Sequence, residues 1–398
     1  MFHVLEVQGY NLRAGSERHT AMLASRLSKR GWRVTVAAPP GGLLNDPGAI
    51  GNASYLPVSL SGRTDLESVL RLVHYCRHED VDVVHTHCRN ADLLGGMAAL
   101  AARTLRPDRR PRLVTTIHGM LVNAEGVAGS DAINCAHRWF LARFPDHLLG
   151  ISEAVSGNAC RLLYLPASRV TTIWNGTDPP GVDQRAESLR LGEALRRTAD
   201  EKLLVQAGSL EPSKGTDVLI AAVAGLVRCG HCVRLVLVGT GSWEPTLRDL
   251  VGRNNLADRV TFTGAVPDAG PYLGAADVVC LASRWEGFGR VLTEAMSYGR
   301  AIVASRTGGI PEVVEDGVTG ILVEPDAVDA WIDALSRLLL APVWRAELGA
   351  RGRERFDRLF TADNFIEATD DALRRVISRP QGSRLTAGLL DAPGVRRG

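Results

Sequence analysis

Short runs of β-branched and other apolar residues alternate along this chain with longer segments whose apolar residues recur at helical spacing. Such short runs are typical of strands buried on both faces, and a helix between consecutive strands makes those strands parallel. Ten runs are predicted to be strands: Val4–Val7, Arg33–Ala37, Val81–Val84, Leu113–Thr116, His147–Gly150, Leu203–Ala207, Val233–Val238, Val260–Phe262, Val278–Leu281 and Ala301–Ala304. The prediction is an α/β protein with two doubly wound, Rossmann-like domains that face each other across a crevice.

A cluster of turn-forming residues at 175–181, followed by a polar stretch rich in Arg and Glu, separates the two series of strands. The length of 398 residues also suits two domains of ordinary size. We place the first domain at 1–176 and the second at 177–360. A helix at about 361–378 is predicted to pack back on the first domain, and the tail 379–398, rich in Pro, Gly and Arg, is predicted to be disordered.

The composition excludes several classes of protein. Hydrophobic residues make up 45% of the chain and charged residues 23%, as in soluble globular proteins. The longest apolar stretches run to about ten residues, whereas a membrane-spanning helix needs about twenty. The N-terminus enters a predicted strand at once and lacks a signal-peptide pattern, which predicts a cytoplasmic protein. A net charge of +2, without interleaved basic and aromatic residues, does not indicate nucleic-acid binding.

Charge and histidine are distributed unevenly between the two halves. Residues 1–178 carry a net charge of +4 and nine of the ten histidines, and the remainder carries −2. This asymmetry predicts two domains with different chemical tasks. The basic run at 103–112 is most simply a solvated loop. The alternative is a surface that meets a phosphorylated acceptor, or anionic lipid at the inner face of the membrane.

Two loops that follow strands of the second half carry phosphate-binding features. Only three of the 46 basic residues are lysines, and one of them, Lys214, stands where a helix is about to start after the strand Leu203–Ala207. Its charge and the unpaired N–H groups of a helix N-terminus suit a phosphate. Gly239 and Gly241 form a second glycine turn facing the same crevice. Glu244 occupies the place of the third glycine of a dinucleotide fingerprint, which counts against a nicotinamide or flavin site.

The strongest functional signal is a pair of glutamates, Glu286 and Glu294, placed eight positions apart with glycines between them. A helix that starts near Gly289 places Glu286 in the preceding loop and Glu294 in its second turn. The loop carboxylate can accept hydrogen bonds from sugar hydroxyls, and the helical one from a ribose. The exposed N–H groups of Phe288 and Gly289 suit a phosphate. The next loop, residues 307–312, is predicted to close this pocket.

The chain resembles the retaining glycosyltransferases of family 4, which have the GT-B fold. The resemblance covers about residues 3–376. Each motif is common alone, but together and in this order they are specific. The motifs are Gly15-Ser-Glu17, Asp82-Val-Val-His85-Thr-His87, Thr116-Ile-His118-Gly119, Ile151-Ser-Glu-Ala-Val155, Asn175-Gly176, Lys214-Gly215, Gly239-Thr-Gly241 and the pair Glu286/Glu294.

The resemblance implies a role for each matching residue. His118, Glu286 and Lys214 would be catalytic: His118 beside the donor sugar and its reacting centre, Glu286 on the sugar hydroxyls, Lys214 on the diphosphate. Glu294 would bind the ribose of the nucleotide, and the backbone at Val266 would meet the base. The complete set implied to bind the nucleotide sugar is Gly15, Ser209, Lys214, Gly239, Gly241, Val266, Glu286, Gly287, Phe288, Gly289 and Glu294.

Three positions depart from the family pattern. Family members usually have an arginine where Ser209 stands, and that arginine shares the diphosphate with the lysine. Its loss leaves the diphosphate charge uncompensated unless another arginine reaches in, for which the candidates are Arg284, Arg290 and Arg306. Ala14 replaces the first glycine of the N-terminal loop, and Trp174 replaces the proline that usually precedes Asn175-Gly176.

We predict that the enzyme needs neither a metal nor another cofactor. Asp80-Val-Asp82 spells a D-x-D sequence but opens a strand instead of following one, so Asp82 is predicted to be structural. His85 and His87 share one face of their strand, but the sequence shows no third ligand beside them. They are therefore predicted to be a packed histidine and a crevice histidine.

The predicted reaction, of the hexosyltransferase type, moves a sugar from a nucleotide diphosphate donor, in the first place a UDP-sugar, to an acceptor hydroxyl with retention of configuration. The acceptor would be a saccharide, a lipid-linked saccharide or a small natural product. No nucleophilic carboxylate is evident in the first half, which favours a front-face route in which the departing phosphate takes the acceptor proton. The alternatives are a nucleotide-sugar 2-epimerase of the same fold and a non-catalytic protein that binds a sugar nucleotide.

Overall fold

The computed structural model describes residues 1–11, 15–60, 65–105, 110–121 and 132–380. Ala14, part of the basic run and residues 381–398 of the predicted tail lie outside the described residues. Within these ranges, no helix is both long enough and apolar enough to cross a bilayer.

The described chain forms two sheets in which all strand pairs are parallel. The first has the order β3-β2-β1-β4-β5-β6-β7 and the second β10-β9-β8-β11-β12-β13. The strands are β1 (Phe2–Gln8), β2 (Trp32–Ala38), β3 (Ser54–Pro57), β4 (Val83–His87), β5 (Arg112–Ile117), β6 (His147–Gly150), β7 (Val170–Thr172), β8 (Lys202–Ala207), β9 (Val233–Val238), β10 (Val260–Gly264), β11 (Val278–Leu281), β12 (Ala301–Ser305) and β13 (Ile321–Val323).

Helices connect consecutive strands and cover the faces of the sheets. They are α1 (Gly15–Leu27), α2 (Pro47–Ile50), α3 (Leu66–His78), α4 (Arg89–Leu105), α5 (Ala132–Arg143), α6 (Glu153–Leu163), α7 (Val182–Leu195), α8 (Thr216–Arg228), α9 (Glu244–Arg253), α10 (Gly270–Ala275), α11 (Arg290–Ser297), α12 (Ile310–Val313), α13 (Val328–Leu340), α14 (Pro342–Leu359) and α15 (Ala362–Ser378). The strand order reverses between β1 and β4 and again between β8 and β11, and such switch points are where open α/β sheets bind ligands. The predicted α/β architecture of two doubly wound sheets is confirmed.

All ten predicted strands are present, and three further short strands were not predicted. β3, β7 and β13 have three or four residues each and lie at the sheet edges, so each gives only a short apolar signal, and the side chains of β3 and β7 are also partly exposed. β4 begins at Val83 and extends through His87. The prediction ended at Val84 because the next three residues, His85, Thr86 and His87, are polar, yet all three are fully buried. Asp82, just before β4, accepts a hydrogen bond from the His3 N–H at 2.8 Å, which is a structural role.

The last helix returns to the first sheet. α15 buries Phe365, Ile366 and Leu373 in the same cluster as Val34 of β2. The Trp32 indole donates to Asp370 of this helix at 2.7 Å. The chain leaves the first sheet near Gly176, where a Cβ atom would lie 2.6 Å from Phe365 and 2.7 Å from the Thr361 carbonyl oxygen. The segment that leaves the first sheet and the segment that returns to it are therefore in contact.

His147, the first residue of β6, makes the unfolding free energy depend on pH. Burial, reinforced by Arg379 and Arg169, lowers its pKa from 6.5 to about 4. The unfolded chain therefore takes up a proton that the folded chain does not, and stability is lost as the pH falls from 6.5 to about 4. The loss is about 1.4 kcal/mol per pH unit for this residue.

We expect His147→Gln to remove this dependence, because the amide can still bond to the Thr171 hydroxyl, 2.7 Å from Nε2, but does not titrate. Urea unfolding at pH 7.5, 6.5 and 5.5 measures the effect: the stability difference between wild type and variant should shift in favour of the variant as the pH falls. A difference that stays constant over this range would contradict the assignment.

Candidate active site

Both sheets direct the carboxyl ends of their strands toward one crevice. The loop after β11 meets the end of β5 there: a Cβ atom on Gly287 would lie 3.2 Å from the His118 carbonyl oxygen and 3.4 Å from Gly119. The Ser152 hydroxyl, from the loop after β6, donates to the Gly287 carbonyl at 2.6 Å. The loops that follow the two sheets are therefore in contact at this point, and a Cβ atom at position 287 would crowd the backbone of His118 and Gly119.

Lys214 and Glu286 form an ion pair at the crevice, with Nζ 2.6 Å from Oε2. Lys214 ends a 3₁₀ turn after β8, and Gly215 follows in the left-handed conformation (φ 60°). A Cβ atom on Gly215 would lie 2.0 Å from the Ala282 carbonyl oxygen, so the loops after β8 and β11 stack backbone to backbone. The side chains of the pair are 24% and 18% exposed. Both charged groups are therefore accessible from the crevice.

The glycines of this region are explained by loop packing. A Cβ atom on Gly239 would lie 2.1 Å from the Gly208 carbonyl oxygen, and one on Gly241 would lie 2.2 Å from that of Leu210. In the same way, a Cβ atom on Gly308 would lie 1.9 Å from the Glu286 carbonyl oxygen. These glycines let the loops after four strands stack without side chains between them, beside the backbone that carries Glu286.

The helix after this loop starts where it was predicted to start. Gly289 is the N-cap of α11 with φ 85°, so Glu294 lies in the second turn. Phe288 is buried and packs its ring against Phe360. Within the described part of the chain, the N–H groups of Phe288 and Gly289 make no hydrogen bond. They remain available for an anion at the N-terminus of α11.

One of the three candidate arginines lies in the crevice. Arg284 is paired with Asp217 and Asp326, at 2.7 and 2.9 Å. Arg306 pairs with Asp316 and Glu324 at the loop after β12. Arg290, by contrast, spans the two sheets: one guanidinium nitrogen donates to the Gly15 carbonyl at 3.3 Å, and the other pairs with Glu294 at 3.2 Å.

The remaining predicted positions lie in the loops after β8, β9 and β10. Ser209 is exposed in the loop after β8, and Gly239 and Gly241 lie beside that loop. Val266, after β10, is half-buried against the core, and the carbonyl oxygen of the next residue, Pro267, accepts from Arg18 of α1 at 3.1 Å. The backbone near Val266 thus also faces the first sheet.

Behind His118 lies a cluster of buried histidines around Glu6. The Glu6 carboxylate accepts a hydrogen bond from His87 Nε2 at 2.7 Å, and the same oxygen is 2.9 Å from His85 Nδ1. Burial would raise the pKa of Glu6, but the two histidines outweigh it and hold the pKa at about 2. The carboxylate is therefore ionised, and His87 carries its proton on Nε2.

Two more histidines complete the cluster. His87 Nδ1 lies 3.1 Å from His118 Nε2, and His19 of α1 bonds through Nδ1 to the Asn175 side-chain oxygen at 2.9 Å. Burial, followed by the neighbouring histidines, lowers the pKa of His19 and His118 well below the usual range, so both rings are neutral. The sequence shows no third group beside His85 and His87. The structure corrects this, because Glu6, His19 and His118 all reach them.

A cavity of about 440 Å³ opens on the other side of His118, beyond the ends of β4 and β5. Its lining combines apolar, basic and hydrogen-bonding side chains. Asp92 at its edge accepts from His137 at 2.8 Å and from the Thr86 hydroxyl at 2.7 Å. The lining includes Tyr10, Arg89, Asp92, His118, His137 and Arg138.

Glu312, which the sequence analysis placed in a closing loop, joins the two sheets. Its carboxylate accepts from the N–H groups of Glu153 and Ala154, the first residues of α6, at 2.7 and 2.8 Å. It also accepts from the Trp174 indole at 2.9 Å. A carboxylate is favourable at a helix N-terminus. Trp174 thus supplies a hydrogen bond that a proline at this position could not.

Comparison with solved structures defines the class of protein. Anabaena HepE in complex with UDP-glucose superposes with a TM-score of 0.80 at 21% identity, over 94% of this chain and 100% of that one. WaaG, a glycosyltransferase involved in lipopolysaccharide biosynthesis, superposes with a TM-score of 0.72 at 18% identity, over 92% and 99%. The fold is the GT-B fold, as predicted.

Sequence comparison then defines the family. The model of glycosyltransferase family 4 matches residues 13–180, and that of the glycosyl transferases group 1 matches residues 201–341. The GDP-mannose-dependent alpha-(1-6)-phosphatidylinositol monomannoside mannosyltransferase of Mycobacterium tuberculosis is 30% identical over 69% of this chain and 73% of its own length. The D-inositol 3-phosphate glycosyltransferase of Thermobifida fusca is 33% identical over 63% of this chain, and the match spans 59% of that relative. The chain belongs to glycosyltransferase family 4.

Proposed function

We propose that this protein transfers a sugar from a nucleotide diphosphate to an acceptor hydroxyl with retention of configuration and without a metal at the diphosphate. One observation carries the proposal: Lys214 after β8, Glu286 and Arg290 after β11, and His118 after β5 converge on one crevice between two doubly wound sheets. Two cations supply the positive charge that a departing diphosphate requires, which is the task a metal performs in other transferases.

The proposed donor lies along the loop after β11. Glu286 accepts hydrogen bonds from the sugar hydroxyls, and Lys214 moves from this carboxylate to the diphosphate. The N-terminus of α11 presents its free N–H groups to the same anion. Glu294, in the second turn, binds the ribose, and it shares Arg290 with the diphosphate. We propose UDP as the nucleotide, with GDP as the alternative because the M. tuberculosis relative is named as GDP-mannose-dependent.

The proposed route is a front-face displacement in which the departing phosphate oxygen takes the proton of the acceptor hydroxyl. A double displacement would need a free carboxylate on the opposite face of the sugar. On the first-sheet side, Glu6 and Asp92 are both buried and accept hydrogen bonds from His87 and His137. Neutral His118 then orients the sugar and stabilises its developing charge.

We assign the acceptor to the cavity beside His118. The cavity lies on the first-sheet side, and His118 forms part of its wall, so a hydroxyl held there would face the donor sugar. Apolar and basic groups together suit a saccharide that carries a lipid or an anionic group. The proposed acceptors remain saccharides, lipid-linked saccharides and small natural products.

A panel of UDP-, GDP- and dTDP-sugars, measured by thermal shift, tests the donor, since a ligand that binds the folded state raises the melting temperature. The preferred sugar nucleotide is then incubated alone and followed by NMR. A 2-epimerase would convert it without an acceptor, whereas a transferase would leave the sugar stereochemistry unchanged and at most release the nucleotide slowly. No melting shift with any of the panel would contradict the proposal.

We expect Arg290→Leu to lower kcat/KM about 10²-fold, because a cation that stabilises the leaving group is lost while Lys214 remains. Ser209→Arg should restore most of this loss in the Arg290→Leu background, since it returns an arginine to the family position. Steady-state kinetics on the four combinations measure the coupling. Arg306→Leu is the matched control, because that arginine is paired with Asp316 and Glu324 in the loop after β12. Equal effects of Ser209→Arg in both backgrounds would contradict the assignment.

A further inference from the structure

We propose that His19, His87 and His118 form a binding site for a zinc-class transition-metal ion, with one coordination position open to the crevice. One ring nitrogen of each histidine lies within 4.8 Å of the other two. His19 and His87 are buried, whereas His118 is partly exposed. Three imidazoles with an open fourth position are a recurring arrangement for zinc.

Hydrogen bonds outside the triad orient two of the three rings for metal binding. The Glu6 carboxylate accepts a hydrogen bond from His87 Nε2 at 2.7 Å, which leaves the lone pair of His87 on Nδ1. The Asn175 side-chain oxygen accepts a hydrogen bond from His19 Nδ1 at 2.9 Å, which leaves the lone pair of His19 on Nε2. Metal-binding histidines almost always donate their second ring N–H to such an oxygen. Here both acceptors are in place and buried.

The spacing of the rings fits tetrahedral coordination. Three imidazoles on a zinc ion at about 2 Å have nitrogens about 3.4 Å apart and ring centroids about 5 Å apart. In the protein, His87 Nδ1 and His118 Nε2 are 3.1 Å apart. The centroid distances are 4.7 Å for His19–His118 and 5.4 Å for each of the other two pairs. Small ring movements therefore suffice to admit the ion.

The proton balance on binding involves one ring. Without metal, the Nε2–H group of His118 donates a hydrogen bond to His87 Nδ1. With metal, both of these nitrogens must offer lone pairs, so neutral His118 moves its proton to Nδ1. No net proton is released. Three neutral nitrogen ligands favour zinc, cobalt, nickel and copper ions over magnesium, which prefers oxygen.

Metal binding would inhibit sugar transfer. This consequence rests on the proposed function, in which His118 lies beside the donor sugar, because the ion would occupy the same imidazole. The binding itself does not rest on it. Zinc should therefore inhibit transfer in competition with the donor, and a chelator should restore the activity in full.

Cobalt(II) is the probe, since its visible absorption reports tetrahedral nitrogen ligands. Two surface features could bind it independently and are removed first: the exposed pair His74 and His78 on α3, with centroids 4.3 Å apart, and the exposed Cys229 and Cys232. The full chain carrying H74Q, H78Q, C229S and C232S is titrated without donor. We expect one equivalent of cobalt to bind with a tetrahedral spectrum, and zinc to displace it.

Variants of the site distinguish specific binding from misfolding. His19→Gln and His87→Gln should each weaken cobalt binding at least 100-fold, and Glu6→Gln should weaken it about 10- to 100-fold through the His87 ring. Asn175→Asp should instead tighten binding about tenfold, because a carboxylate makes His19 more basic, and a misfolded protein could not bind more tightly. No tetrahedral cobalt spectrum, or unchanged affinity in all four variants, would overturn the proposal. Either result would leave donor binding and transfer by the wild type unaffected, so the proposed function is tested separately.

Discussion

Replacing Lys214 by alanine is expected to lower kcat/KM for sugar transfer about 10³-fold. The diphosphate gains negative charge as it leaves, and the loop after β8 places this ammonium group at the crevice, so its loss removes stabilisation made mainly in the transition state. The affinity for free UDP should fall as well, because the lysine is assigned to the phosphates. Steady-state kinetics with the donor and calorimetry with UDP measure the two effects.

The fold should survive this change. The Lys214–Glu286 pair is partly exposed, and such pairs contribute about 1 kcal/mol or less to the unfolding free energy. Lys202→Ala is the matched control, because Lys202 opens β8 at the end of the strand away from the crevice. It should stay within twofold of wild type. Near wild-type turnover in Lys214→Ala would show that the diphosphate role is wrong.

Replacing Glu286 by alanine is expected to lower kcat/KM by about 10²- to 10³-fold. Unlike Lys214→Ala, it should weaken the binding of the UDP-sugar but not that of free UDP. The carboxylate is assigned to the sugar hydroxyls. A site without this hydrogen-bond acceptor binds the sugar less tightly and no longer orients it for reaction. Affinity for free UDP should hold or rise, since Lys214 is released from its ion pair, whereas affinity for the UDP-sugar should fall. The two calorimetric titrations separate sugar contacts from phosphate contacts.

A comparable ion pair away from the crevice provides the control. Asp249 pairs with Arg253 in the C-terminal half of α9, which runs back from the crevice, so Asp249→Ala removes a carboxylate and breaks a salt bridge without touching the site. Its kinetics should match the wild type. If Glu286→Ala weakened UDP and UDP-sugar equally, the carboxylate would act through Lys214, and the assignment to the sugar would have to be withdrawn.

Much of the candidate site was predictable from the sequence because it is close to strand ends along the chain. Lys214 follows β8 by seven residues, and Glu286 follows β11 by five. Strand order places these ends together, so strand position and a helix start at Gly289 suffice to predict the loop that carries them. The same local signals were too weak for β3, β7 and β13, which have only three or four residues each.

The reason for the glycines was not predictable, since it depends on which backbones meet. Gly308 and Glu286 are far apart in the chain, yet a Cβ atom at Gly308 would lie 1.9 Å from the Glu286 carbonyl oxygen. A ligand-binding glycine and a packing glycine look alike in a sequence. Only the packed loops show that these glycines permit backbones to approach closely beside Glu286.

The sequence by itself determined the two doubly wound sheets, the start of α11 and the loops that hold Lys214 and Glu286, because these follow from local periodicity and strand order. Only the tertiary structure decided that Arg290 bridges the Gly15 carbonyl and Glu294, whereas Arg284 and Arg306 pair with other carboxylates. It alone placed Glu6 against His87, 81 positions away, and His19 against Asn175, 156 positions away. Side-chain partners at such separations are set by how helices and sheets pack, and hydrophobic periodicity carries no information about them.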